Sequence, residues 1–364
     1  MNEHLQIEKI DVFIGGQEGF PVYRIPALAV TKKGTILAFC EGRQSISDAS
    51  QNAIVLKRST DGGKTWEPMR VIARMGRDSL NNPQVVIVQE TGRVILFFQR
   101  YPYPSNERTV VAGYTVSPLK RLLGFRSLDS WSMHSDDDGA TWSTPHDITR
   151  QVKPPAPATS LASGPGIGIQ LRRGSHAGRL LMPFNCGPYG KWRVFCAYSD
   201  DAGETWHAGQ FAPESGPGHA NEVQVVELVD GTILLNARNQ RGEKRRKIAR
   251  SRDGGETWCP LTVDGTLVDP VCQGSIIRYL DPLDGDKSVI LFANPASETR
   301  RENGTVRASF DEGKTWPISR VIEPGKFAYN CLGILPGKRI ACLYETGDKN
   351  GYEKIVLASF LLEL

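Results

Sequence analysis

Apolar residues along this chain fall into paired segments of strand length, each pair joined by a turn that contains glycine. Arg24 to Val30 and Thr35 to Cys40 flank Lys33-Gly34, and Gln84 to Val88 and Val94 to Phe98 flank Thr91-Gly92. The same arrangement returns in Val223 to Leu228 and Thr232 to Ala237 around Asp230-Gly231, and in Ser275 to Leu280 and Ser288 to Ala293 near Asp284-Gly285. It closes with Leu332 to Leu335 and Arg339 to Tyr344 around Gly337. Helical periodicity is weak throughout, so these pairs predict β-hairpins in an all-β protein.

Between the hairpins runs a second repeat, Ser-x-Asp-x-Gly-x-Thr-Trp, in five copies: Ser59 to Trp66, Ser135 to Trp142, Ser199 to Trp206, Ser251 to Trp258 and Ser309 to Trp316. Copies at intervals of roughly 50 to 75 residues mark a repeated supersecondary unit of propeller or solenoid type. In each copy the Asp side chain can close a turn, the Gly is free to take positive φ, and Ser and Thr can bond the turn's backbone. Each copy is thus a predicted hairpin tip. Its Trp begins the return strand, where the ring can be buried between sheets with its indole N–H bonded. The Asp residues offer too few regularly spaced oxygens for a closed calcium site, so no metal is expected there.

A blade therefore consists of an inner hairpin, a connecting loop, and an outer hairpin tipped by the box. In an up-and-down blade of four strands, the boxes and the inner turns lie on one face. The start of strand one and the loop after strand two lie on the other. That second face collects Arg24, the loop Glu41 to Asp48, Glu222, Arg238, Arg300, Arg301, Tyr329 and Glu345. Arginines from separate blades aimed at one axis repel one another unless an anion lies between them. A planar guanidinium suits a carboxylate, so the expected ligand is carboxylated.

Composition alters this picture little. All-β propellers grow by adding blades, so residues 1–364 are expected to form a single domain. A net charge of +4 is too slight to imply nucleic acid, and the basic run from Arg241 to Lys247 is expected to be a solvated loop. The seven cysteines, at 40, 186, 196, 259, 272, 331 and 342, lack tight spacing and are expected to be buried free thiols. No stretch approaches a membrane span, and the N-terminus lacks an apolar core of signal-peptide length, so the chain as written is expected to be cytoplasmic. Residues 101–131 are longer than a blade loop needs, and Pro154-Pro155-Ala156-Pro157 is a stiff connector; either could form part of a rim around a cleft.

The five boxes, Tyr23-Arg24-Ile25-Pro26, Asn221-Glu222-x-Gln224 leading to Asn236-Ala237-Arg238, and Phe327-Ala328-Tyr329 before the closing hairpin together resemble the sialidase (neuraminidase) family. The likeness covers nearly the whole chain in the right order. It implies a six-bladed β-propeller of four-stranded antiparallel sheets and exo-α-sialidase activity on sialylated glycans, with no cofactor. It also implies roles: Arg24, Arg238 and Arg301 as the triad that binds the sialic acid carboxylate, Tyr329 as nucleophile, Glu222 as its partner, and Asp48 as acid/base. Arg43 resembles an additional arginine placed beside the carboxylate. Arg300 adjoins Arg301 and is the alternative third member, whereas Arg307 falls within a strand running down to the fifth box. The competing readings are a non-catalytic propeller that binds acidic sugars, a hydrolase of a related nonulosonic acid, and a transglycosylating relative.

Overall fold

The computed structural model describes residues 6–103, 128–154 and 160–362. Most of the candidate rim stretch 101–131 and Pro155 to Pro157 of the stiff connector lie outside them. Six sheets succeed one another around an axis, four of them four-stranded and two five-stranded. Blade one comprises Val22–Val30, Ile36–Arg43, Ala53–Ser59 and Arg70–Ala73. Blades two, four and five repeat the plan, starting at Ser79–Ile87, His219–Glu227 and Ser275–Leu280. Blade six takes Asn330–Leu335, Arg339–Thr346 and Lys354–Phe360. Its fourth strand is Glu8–Ile14, from the opposite end of the chain, paired antiparallel to Lys354–Phe360. This closure joins the two ends of the ring. Among the described residues no helix is long and apolar enough to cross a membrane.

Blade three differs, and its inner hairpin is absent from the sequence pattern for a structural reason. Its first strand is split into Leu161–Ser163 and Ile169–Gln170, both antiparallel to Leu180–Cys186. Between them Gly166–Ile167 leaves the blade and adds parallel to Ser79–Ile87 of blade two. The excursion fills the axis. The Gln224 amide donates to the carbonyls of Pro165 at 3.1 Å and Ile167 at 3.2 Å, and Gln273 donates to Pro165 at 3.3 Å. Gln84 donates to the Gly164 carbonyl. Glycine is required here by close approach: a Cβ on Gly164 would stand 2.2 Å from the Val223 carbonyl oxygen.

All five boxes fold alike. In the second, the Ser135 hydroxyl donates to Asp137 at 2.8 Å, and Asp137 accepts from the Thr141 amide at 2.7 Å and the Thr141 hydroxyl at 2.5 Å. The box glycine has positive φ (77° at Gly139). A Cβ there would meet a side chain of the preceding blade, Leu37 at 2.8 Å for Gly139 and Ile95 at 2.2 Å for Gly203. The boxes therefore lock each blade to its predecessor. The expected indole bonds do not form generally: Trp206 donates to the Gly203 carbonyl, whereas the buried indole nitrogens of Trp66, Trp142, Trp258 and Trp316 find no partner among the described residues.

Two other expectations need correction. The basic run is a loop only in its first half. Arg246 and Lys247 enter the strand Arg245–Ser251 and are fully buried, Arg246 on Asp269 and Lys247 on Glu214 at 2.7 Å, because carboxylates distant in sequence compensate their charges. Six of the seven cysteines are buried free thiols, but Cys259 is exposed, since it follows a box tip rather than lying in a strand.

Candidate functional site

A cavity of about 530 Å³ opens on the face opposite the boxes. Arg24, Asp48, Glu222, Arg238, Arg301 and Tyr329 all line it. Backbone bulges aim several of these residues inward. The first strands of blades one, two and four each lose register at the same end, between Arg24 and Ala27, Asn81 and Gln84, and Ala220 and Val223. The extra residues include Ile25, Asn82 and Glu222. Ile25 (φ 61°) and Asn82 (φ 52°) are left-handed, a conformation that is strained for a β-branched residue. Both are held by buried carboxylates: the Ile25 amide donates to Glu345 at 2.8 Å, and the Asn82 amide to Glu41 at 2.7 Å.

At the floor, the Tyr329 hydroxyl donates to Glu222 Oε1. Arg238 Nη1 donates to Glu222 Oε2 at 2.8 Å and to the Tyr329 hydroxyl oxygen at 3.1 Å. Burial raises the Tyr329 phenol well above its ordinary value, and the Glu222 carboxylate adds to that shift. The free site thus holds a protonated phenol against its acceptor. Arg24 grips Glu345 through Nε and Nη2, both at 3.1 Å, and lies 4.3 Å over the Tyr352 ring. Burial opposes its charge, but Glu345, Tyr329 and Tyr352 together outweigh burial and keep it cationic.

Arg301 has neutral partners, the Tyr352 hydroxyl at 3.2 Å and the Val271 carbonyl at 3.1 Å. Among the described residues no carboxylate lies within ion-pair distance of it. Val271 turns that carbonyl inward through a left-handed conformation (φ 67°). Arg300 is a surface residue, 76% exposed and paired with Glu302, and Arg307 bonds Asn294 of the neighbouring strand Val289–Pro295. The position of Arg301 thus separates it from both alternatives. Three arginines of three blades converge on one cavity with two carboxylates between them, an arrangement that leaves a place for an anion.

Asp48 stands on the loop after the second strand of blade one, 64% exposed, with Oδ1 2.8 Å from Arg43 Nη1. Arg43 departs from its expected place beside the ligand. It is 1% exposed, bound to Glu41, Asp48 and the Ile46 carbonyl, and lies behind Ile46 and Asp48, which line the cavity in its place. The preceding strand pairs Arg43 with Val22, and this directs its side chain under the loop.

Sequence reasoning left several site residues unassigned. Asn81 and Asn82 carry a legible signal, since Asn82-Pro83 repeats in blade two the Ile25-Pro26 of blade one. Tyr189 and Trp192, an edge-to-face pair with centroids 5.0 Å apart, line the far wall from blade three. Glu345 and Tyr352 act through the arginines.

A family profile described as "BNR repeat-like domain" matches residues 34–339. The chain is 38% identical over 362 residues to a sialidase of Micromonospora viridifaciens, covering 96% of this chain and 53% of that protein. It is 32% identical over 359 residues to a sialidase of Bacteroides fragilis, covering 91% of this chain and 61% of that protein. Sialidase-2 of Rattus norvegicus is 30% identical over 375 residues, covering 94% and 92%. Among solved structures, Hadza microbial sialidase Hz136 superposes with a TM-score of 0.82 at 29% identity, over 97% of this chain and 68% of that one. The intramolecular trans-sialidase of Ruminococcus gnavus gives 0.82 at 22% identity over 97% of both chains, a likeness of fold. The chain belongs to the sialidase family of BNR-repeat six-bladed β-propellers. It spans 53% and 61% of the length of the two bacterial relatives named first.

Proposed function

We propose that the chain is a glycosidase of sialic acid-like sugars, and more narrowly a retaining exo-α-sialidase that works through a sialyl-tyrosine intermediate. The observation that carries this reading is the Tyr329–Glu222–Arg238 hydrogen-bonded set, flanked by Arg24 and Arg301 in a cavity that Asp48 also lines. Relatives of the same family named as sialidases support it.

The substrate's charge explains the choice of nucleophile. A sialoside carries a carboxylate on its anomeric carbon, which repels an anionic attacker of the kind most retaining glycosidases use. A phenol avoids that repulsion but is a weak nucleophile while protonated, as Tyr329 is here. Glu222 therefore takes the Tyr329 proton as the Oη–C2 bond forms. Arg24, Arg238 and Arg301 hold the substrate carboxylate and fix the anomeric carbon over Tyr329. Asp48 protonates the departing glycosidic oxygen. It then deprotonates the water that attacks C2, while Glu222 returns its proton to Tyr329. Two displacements retain configuration.

The test is release of a fluorogenic aglycone from an α-sialoside, with intact mass measured after mixing with a fluorinated sialic acid. Wild type should turn over and trap an adduct on Tyr329. Tyr329→Phe should lose at least about 10²-fold in kcat and trap nothing there. Absence of turnover with binding of free sialic acid would favour the non-catalytic propeller.

A further inference from the structure

Glu41 has no part in the chemistry above, yet it is fully buried beside it. Its two oxygens do different work. Oε2 accepts from Arg43 Nε at 2.7 Å and lies 2.5 Å from Nη2, with the Asn52 amide at 3.4 Å. Oε1 accepts the Asn82 amide at 2.7 Å. Arg43 spends its remaining edge on Asp48 Oδ1 at 2.8 Å and the Ile46 carbonyl at 3.0 Å. One buried guanidinium is thus shared between a buried carboxylate and an exposed one. The arrangement parallels Glu345, at the corresponding end of the second strand of blade six, which holds Arg24 with the same carboxylate that catches the Ile25 amide.

We propose that Glu41 is a positioning residue that shares the Arg43 charge with Asp48 and so keeps Asp48 able to carry the proton it gives to the leaving group. The inference rests on the reading of Asp48 as acid/base. A guanidinium against a carboxylate favours the ionised form, whereas a general acid must be protonated when it acts. Arg43 is almost wholly shielded from solvent, so its charge is poorly screened. A second carboxylate on its Nε edge offsets that charge, while the Nη1 bond keeps the Asp48 loop in register. The charged or titratable groups around Glu41 are Arg43 on its own strand, Asp48 on the loop, Arg24 on the neighbouring strand and the adjoining Cys40 thiol. Burial pushes the Glu41 carboxyl up to about 7, against the opposing pull of Arg43. Its full compensating charge is therefore present above about pH 7, on the alkaline side of the profile, where the proton of the general acid must be kept.

The test compares wild type, Glu41→Gln and Glu41→Asp on two α-sialosides, sialyllactose, whose alkoxide leaving group needs a proton, and an aryl sialoside, whose leaving group needs little help. In Glu41→Gln the alkaline limb of the sialyllactose kcat/KM profile should move about one pH unit lower, and the ratio of kcat/KM for sialyllactose to that for the aryl sialoside at pH 7 should fall about ten-fold. Glu41→Asp, which keeps the charge, should hold the limb within a few tenths of a unit of wild type. A limb that stays in place in Glu41→Gln with both substrates lowered by one factor would overturn the proposal and leave Glu41 a packing residue. So would a limb that moves equally in Glu41→Asp. A wild type that cleaves neither sialoside overturns the underlying reading instead.

Discussion

At the box end of the propeller axis, Arg172 reaches Asp284 at 2.6 Å, and Arg173 reaches Glu227 at 3.2 Å and also pairs with Asp281. These bonds run from blade three to blades four and five around a cavity of about 360 Å³. At the opposite end, Arg301 finds a hydroxyl and a carbonyl, and Arg24 and Arg238 hold one carboxylate each. The excursion at 164–168 separates the two ends. Arginines are thus used in opposite ways along one axis. Where every charge is matched within the protein the guanidinium joins blades, and where one is left unmatched it waits for an anion. On the function proposed, the difference puts stability at one end and binding at the other.

The largest effect should come from breaking the matched end. Arg173→Ala leaves Glu227 and Asp281, 6% and 4% exposed, without their shared cation. Asp281 keeps a longer contact with Arg172 at 3.4 Å and Glu227 keeps the Arg172 and Arg173 amides, so breaking the pair costs about 3 kcal/mol, which for a chain of this length lowers Tm by about 4 °C. Calorimetry at pH 7 measures it, and turnover at 25 °C should stay at the wild-type level. A loss of turnover with unchanged Tm would reverse the assignment of the two ends.

Arg301→Ala should show the mirror image. Its guanidinium is half-buried and bonds a hydroxyl and a carbonyl, so its removal strands no buried carboxylate and Tm should hold near the wild-type value. Loss of one charge-assisted grip on the substrate carboxylate should lower kcat/KM about 10²-fold. Arg301→Lys should recover little of this, because an ammonium cannot make the forked contact. A fall in Tm comparable with that of Arg173→Ala would show that the unmatched end is structural as well.

The sequence disclosed what is encoded locally and missed what depends on ring closure. Each box closes on its own Ser, Asp and Thr, so eight residues suffice to recognise it. Arg24, Glu222, Arg238, Arg301 and Tyr329 share a cavity because all precede or follow an inner hairpin, a rule that holds for any up-and-down blade. Blade three escaped because its first strand is lent in part to blade two. The closing strand Glu8–Ile14 has no local mark of its partner 340 residues away. Arg43 and Glu41 were visible as residues of the right loop and strand end, but which charge faces which is set by strand register. For the same reason Arg246 and Lys247 looked like surface: the carboxylates that bury them come from residues 269 and 214.

The smallest effect concerns the boxes, and it asks whether the box end is held by charge as well as by shape. Hydrogen bonds from the Thr141 hydroxyl and amide, with that of Ser135, lower the Asp137 carboxyl to about 2, and the Thr65 bonds lower Asp61 further still. A carboxylate with a depressed value in the folded state contributes stability that is fully present above the unfolded value near 4 and is lost as pH falls through the folded value. The contribution of Asp137 should therefore disappear between about pH 4 and pH 2. Asp137→Asn keeps one oxygen for the Ser135 hydroxyl and the Thr141 amide, puts an amide NH2 opposite the Thr141 hydroxyl and has no charge to lose, so at pH 7 it should lower Tm by about 1 °C, the worth of weakening charge-assisted bonds at an exposed turn. Many other carboxylates titrate in the same window, so the informative quantity is the difference between the two proteins. The Tm gap between wild type and Asp137→Asn should narrow as pH falls from 4 and close near 2. A gap that persists unchanged at pH 2 would mean that the box is held by geometry alone, with Gly139 packed on Leu37 supplying the grip between blades.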